Sequence, residues 1–148
     1  MKPPTAPPAP APRSSPFILG TAGWWFAAGL YALAIFLLAG QSYPLGVKHL
    51  PFLVDKAIHV LVYGAFSVVL FAALRHSKPR TPSLVLASMA AVIAVLYGFS
   101  DEYHQGFVPL RVSDIQDLVA DAVGVLAAQC LVLWRLAVAS HVVGDGRR

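Results

Sequence analysis

Four stretches of this chain are almost continuously apolar, at about Phe17–Ala39, Ala57–Leu74, Ser83–Phe99 and Leu118–Val138. Each approaches the roughly 17–25 residues that a helix needs to cross about 30 Å of hydrocarbon. The second and third are at the short end of that range, so their helices are expected to extend into the polar residues beside them. Lipid offers the backbone no hydrogen-bonding partner, which leaves helices or closed barrels, and continuous apolar runs of this length exclude a barrel. The pattern therefore predicts an all-α fold, an integral membrane bundle of four transmembrane helices spanning residues 17–138. Seven prolines fall among residues 1–16, so that segment is expected to be a disordered Pro/Ala-rich tail. Residues 139–148 are expected to form a short cytoplasmic tail.

The first apolar stretch has a basic flank in Lys2 and Arg13, as a signal peptide would. Its apolar run is too long for an ordinary h-region, and Gln41 stands where a lipoprotein signal would carry cysteine. It is expected to be a retained anchor.

Composition agrees with the helical pattern. Of 148 residues, 57% are hydrophobic and 12% charged, about half the charged share of an ordinary soluble domain. The length is that of one domain. The formal net charge of +4 arises from basic residues placed where membrane topology favours them. No basic stripe with interleaved aromatics is present, so nucleic-acid binding is not expected. The single cysteine, Cys130, lies inside an apolar run and is expected to be a small core-facing side chain.

Basic residues also give an orientation. Lys2, Arg13, Arg75, Lys78, Arg80, Arg135, Arg147 and Arg148 fall on one side, against Lys48, Lys56 and Arg111 on the other. Both termini are then expected to be cytoplasmic, with the protein multi-pass in the plasma membrane. Trp24, Trp25 and Trp134 are expected to face lipid or form interfacial belts.

Against this scarcity of charge, two segments stand out. One reads Asp55-Lys56-x-x-His59-x-x-x-Tyr63. The other runs from Ser100 to Gly124 and holds Asp101, Glu102, Asp114, Asp117 and Asp121, five of the chain's seven acidic residues. At about 100° per residue, Asp55, His59 and Tyr63 drift over about 80° on one helical face. Tyr97, Asp101, His104 and Gln105 fall within about 100° of one another, with Glu102 off that face. Asp114, Asp117, Asp121 and Gly124 span about 80° at the start of the fourth helix. Three helix ends thus carry polar stripes toward the extracytoplasmic surface, and convergence on one pocket keeps each stripe out of lipid.

Magnitudes support convergence. An Asp or Arg near a helix centre costs roughly 2.5–3.5 kcal/mol on insertion scales, less toward the interface. Asp121 lies about 6 Å deeper than Asp117 along the helix axis and must be paired, protonated or hydrated. Of the nearby cations Lys56 and Arg111, Arg111 is the expected carboxylate partner, because its planar fork can engage two oxygens or a phosphate. Pro109 fixes the backbone before it, and Gly124 lets another helix approach.

A purely structural reading stands beside the functional one. Asp114 and Asp117 can cap and charge a helix N-terminus, Glu102 can be solvated, and His59 can be a structural histidine. A metal site built from His104, Asp101 and Asp55 or His59 lacks any compact ligand spacing. No metal and no cofactor is expected.

Taken together, the motifs resemble the VanZ-like family, named for a membrane protein associated with teicoplanin resistance. Family members carry D-K-x-x-H-x-x-x-Y, then D-E-x-x-Q-x-F-x-P-G-R, then D-x-x-x-N-x-x-G. The matching residues are Asp55, Lys56, His59 and Tyr63, then Asp101, Glu102, Gln105, Phe107, Pro109 and Arg111, then Asp117 and Gly124. The likeness covers about residues 30–138. Two positions depart from it: Leu110 stands for the usual glycine and Asp121 for the usual asparagine. The resemblance implies a role in the bacterial envelope, at the outer face of the plasma (inner) membrane, and a link to glycopeptide resistance.

Three functions follow as expectations. The first is binding of a membrane lipid or lipid-linked envelope precursor. Arg111 and Lys56 would take a phosphate or carboxylate, Asp101, Glu102, Asp117 and Asp121 would orient them, and His59, Tyr63 and Gln105 would add neutral hydrogen bonds. The second is a membrane enzyme with His59 or Glu102 as general base and Asp55 orienting His59. The third is a structural network or a proton-coupled transporter around Asp121. Four short helices leave enough surface for self-association.

Overall fold

A computed structural model describes residues 20–42, 51–111 and 113–145, and all regular structure in them is helical. Four helices follow in order: α1 Thr21–Ala39, α2 Phe52–Ser77, α3 Ser83–Gln105 and α4 Ile115–Asp145. All four are long and apolar enough to cross a membrane. At about 1.5 Å per residue, the shortest, α1 with 19 residues, matches a hydrocarbon core of roughly 30 Å. α2 and α3 run into the polar motifs as expected, so Asp55, Lys56, His59, Asp101 and Glu102 are all helical. The expected boundary of the last helix falls short, because α4 continues past Val138 to Asp145. The N-terminal tail, Lys48 and residues 146–148 lie outside the described residues.

Large apolar side chains point outward from every helix, among them Phe26, Leu61, Leu96 and Leu126. In water that surface would drive aggregation; in a bilayer it is the face that lipid wets. What draws the helices together is accordingly close packing of small residues. α3 carries a buried stripe of Ala87, Ala90, Ala94 and Gly98 at three- and four-residue spacing, which continues into Asp101 and Gln105. One face thus changes along its length from backbone-close packing to polar chemistry.

α2 and α4 cross most closely where Gly64 meets Gly124. A Cβ on Gly124 would overlap the carbonyl of Val60, and one on Gly64 would come within 3.0 Å of the Gly124 carbonyl oxygen. Farther along the same seam, buried Gln129 donates through Nε2 to the carbonyl oxygen (2.9 Å) and hydroxyl (3.1 Å) of Ser67. The Ser67 hydroxyl donates to the Gly64 carbonyl at 2.8 Å.

α1 lies against α2 and α3. Tyr31 donates to the carbonyl of Val62 (3.1 Å), and Tyr97 donates to the carbonyl of Ala32 (2.7 Å). At the other end the Trp25 indole donates to Ser77 Oγ at 2.8 Å, and the Trp24 ring stacks on His76. Trp24 is thus half-buried at the end of the bundle, while Trp25 and Trp134 are exposed. Cys130 differs from expectation: it is exposed, because it falls on the outward face of α4.

The glycine crossing generates a test. Gly124→Ala should cost ~1–3 kcal/mol of stability by forcing α2 and α4 apart, read as a lowered unfolding temperature in detergent. Gly29→Ala, with no atom within 4 Å of the added methyl, should cause no loss. Equal behaviour of the two variants would remove the close crossing as a source of stability.

Candidate functional site

The start of α2, the end of α3 and the start of α4 meet at one end of the bundle, and six carboxylates gather there: Asp55, Asp101, Glu102, Asp114, Asp117 and Asp121. Lys56 is the centre of the outer half. Its Nζ lies 3.2 Å from Asp55 Oδ2, 2.9 Å from Asp114 Oδ2 and 2.5 Å from Asp117 Oδ1. An ammonium has three protons to donate, and here each has a carboxylate acceptor. The expectation that Arg111 would pair with the carboxylates is corrected: Lys56 pairs with them, and among the described residues Arg111 makes no ion pair. The cause is rotational. Lys56 is one position, about 100°, around α2 from Asp55, which turns it toward the first turn of α4.

The inner half is built on His59 and Tyr63. His59 Nδ1 is 2.9 Å from Asp121 Oδ1, and its Nε2 is 3.6 Å from Asp117 Oδ1. Asp121, one turn deeper than Asp117, is thus the carboxylate that holds the imidazole. Asp55, expected in that role, serves Lys56. Asp121 is 1% exposed, and its second oxygen, Oδ2, has no hydrogen-bonding partner among the described residues. That oxygen lies against Gly98, where any Cβ would approach it to 2.8 Å and the Tyr63 ring to 3.2 Å. Gly98 is therefore the residue that admits Asp121 beside α3, and the sequence reading missed it. The signal was the stripe on which it lies, four residues beyond Ala94 and three before Asp101.

Tyr63 donates to Asp101 Oδ2 at 3.0 Å, and Gln105 Nε2 donates to the same oxygen at 3.1 Å. The other end of the Gln105 amide accepts from Arg111 Nη2. Glu102, which is 5% exposed rather than solvated, faces the loop before α4. Its Oε2 accepts from the Asp114 backbone N–H (2.9 Å) and the Ser113 hydroxyl (3.3 Å). Asp114 in turn caps α4 by accepting from the Gln116 N–H at 2.9 Å. The same loop contains Leu110 with φ of 67°, the left-handed region that costs an L-residue roughly 1–2 kcal/mol. The departure from glycine thus falls at a turn whose geometry favours glycine, immediately before Arg111.

Two predicted members of the cluster lie elsewhere. His104 stacks on Phe36 of α1, ring centroids 4.6 Å apart, and Tyr97 is the α1 anchor already described. The metal grouping through His104 is not formed. Asp55, His59 and Asp117 do offer ligand atoms within 4.8 Å of one another, but Asp55 and Asp117 already hold the Lys56 ammonium.

A cavity of about 230 Å³ opens beside the cluster. Its apolar wall is Ile35, Leu38 and Ala39 of α1 with Ile58 and Val62 of α2. Its polar wall is Asp55, His59, Tyr63, Asp101, Gln105 and Arg111. Glu102, Asp117 and Asp121 stand behind that wall, bonded to residues that form or frame it. A mostly apolar cavity on which a few polar groups converge can hold an amphipathic molecule.

A protein-family model described as VanZ/LLP1 matches residues 18–137. No curated protein and no solved structure matches the chain.

Two measurements follow from the loop. Leu110→Gly should raise stability by about 1 kcal/mol by relieving the left-handed backbone, since Leu110 is exposed and loses little packing; a lowered unfolding temperature would contradict this. Lys56 and the Gln116 N–H hold Asp114 below its ordinary pKa of 3.8. A group lowered in the folded state stabilises fully above its unfolded value and loses that contribution as pH falls through the folded one. On acidification below pH 3.8, the wild-type unfolding temperature should fall further than that of Asp114→Asn, which keeps the capping oxygen but not the charge. Parallel acid profiles would contradict the assignment.

Proposed function

The chain is a VanZ-like membrane protein belonging to the VanZ/LLP1 family, and on that premise we propose that it binds a lipid or lipid-linked envelope precursor at the polar end of the bundle. One observation carries the reading. Arg111 lies at a cavity with an aliphatic wall and bonds there to a neutral amide. A guanidinium so placed keeps donors for a phosphate or carboxylate. Lys56, by contrast, has committed its protons to three carboxylates, so its role is to hold the helices that frame the cavity.

The polar end faces the outer side of a bacterial plasma membrane, with both termini cytoplasmic. Supporting this, Arg75, Lys78 and Arg80 lie at the α2–α3 turn, the opposite end of those helices from the cluster. A protein that retains a lipid-linked precursor at this face would alter how much of it a lipid-tailed glycopeptide reaches, in keeping with the teicoplanin-resistance role that the resemblance implies. Acid–base catalysis by His59, held by Asp121, is the competing reading. Binding is favoured because Arg111 keeps donors at the cavity.

Native mass spectrometry of the detergent-extracted protein tests this. The wild type should carry a lipid-sized mass, and Arg111→Gln should reduce its occupancy by about tenfold or more while remaining inserted and folded. Undiminished occupancy in Arg111→Gln would overturn the reading.

A further inference from the structure

We infer that the ligand's head group is zwitterionic, an amine-bearing phospholipid type whose phosphate meets Arg111 and whose ammonium meets Asp101 and Asp55. This rests on the lipid-binding reading above and deepens it. The first observation is a separation of charge. Opposite charges in a poorly hydrated site normally pair directly. Here the Gln105 amide stands between them, accepting from Arg111 at Oε1 and donating through Nε2 to Asp101 Oδ2 at 3.1 Å. Arg111, Gln105 and Asp101 all line the one cavity. A cation and an anion held apart on the two ends of an amide present complementary poles to a molecule carrying both signs.

The second observation is the missing counter-charge of Asp101. Lys56 serves Asp55, Asp114 and Asp117, and His59 is held by Asp121. Asp101 is only 7% exposed, yet both of its hydrogen bonds come from neutral donors, Tyr63 and Gln105, and both reach Oδ2. Among the described residues, none reaches Oδ1. Asp55, on the same cavity wall, is bonded through Oδ2 alone among the described residues. Two carboxylate oxygens without donors among the described residues call for a cation, and Arg111, the cation on this cavity wall, is held off Asp101 by the Gln105 amide. An ammonium tethered to a phosphate supplies it with the spacing already set, while Ile35 and Leu38 flank the acyl side.

The test offers the full-length protein equimolar phosphatidylethanolamine and phosphatidylglycerol in mixed micelles and reads retained lipid by native mass spectrometry. The wild type should retain the amine lipid over the glycerol lipid by about tenfold, the value of one charge-assisted hydrogen bond. Asp101→Asn, which keeps an acceptor for Tyr63 and Gln105, should bring the ratio toward one while still holding lipid. Asp55→Asn should lower the ratio as an independent variant. Arg111→Gln should weaken both lipids and leave their ratio in place. Equal retention by the wild type, or a ratio unchanged in both aspartate variants, overturns the inference but leaves the lipid-binding reading intact. Phosphatidylglycerol retained only with added magnesium, and lost on chelation, makes the cation inorganic and overturns the amine. Neither lipid retained by the wild type overturns the binding reading itself.

Discussion

One ammonium group governs the polar end of this bundle. Lys56 is 15% exposed at its side chain, so its charge is stable only with donors fully used. Three carboxylates, Asp55 of α2, Asp114 capping α4 and Asp117 in its first turn, meet that need, and in doing so they fix the rotation of α2 against the start of α4. From that fixed rotation the rest follows. His59 and Tyr63, one and two turns along α2, are aimed at α4 and α3 respectively. Asp121 then meets His59, and Asp101 meets Tyr63. Replacing the ion pair by apolar groups of similar volume need not weaken the fold, but it would remove the reason for this particular register.

The ion pair can form only because the helices are close enough, and glycine sets that distance. At Gly64 and Gly124 the backbones of α2 and α4 nearly touch, while Gly98 provides the recess for Asp121. Packing and chemistry are therefore one design along each helix: the small residues of the seam lead directly into the charged residues of the site. Substitution of a seam glycine would displace the carboxylates as surely as it would loosen the core.

Much of the architecture was legible in the sequence because lipid imposes simple rules. Apolar length fixed four helices, and the concentration of charge at their ends showed which residues converge. The pairings were less legible. Spacing along one helix ranks neighbours on that helix, but whether Asp121 or Asp55 holds His59 depends on the rotation of α4, which no local pattern encodes. Arg111 illustrates the same point. Its chemistry suited a carboxylate, yet the turn at Leu110 delivers it to Gln105. Glu102 was expected to lie off the polar face and be solvated, but it binds the loop before α4 and is buried. Ser67 and Gln129 gave no signal because isolated polar residues in apolar runs have no helical partner to reveal them.

The attachment of α1 has a consequence for how the chain tolerates change. Tyr31 and Tyr97 both bond main-chain carbonyls, at Val62 and Ala32. No substitution at those two acceptor positions can delete the oxygen, since every amino acid brings the same one. The helix can thus exchange many of its outward-facing side chains, adapting to bilayers of different thickness or fluidity, without losing its berth. The membrane-facing skin of the molecule is in this way decoupled from the wall that α1 gives the cavity.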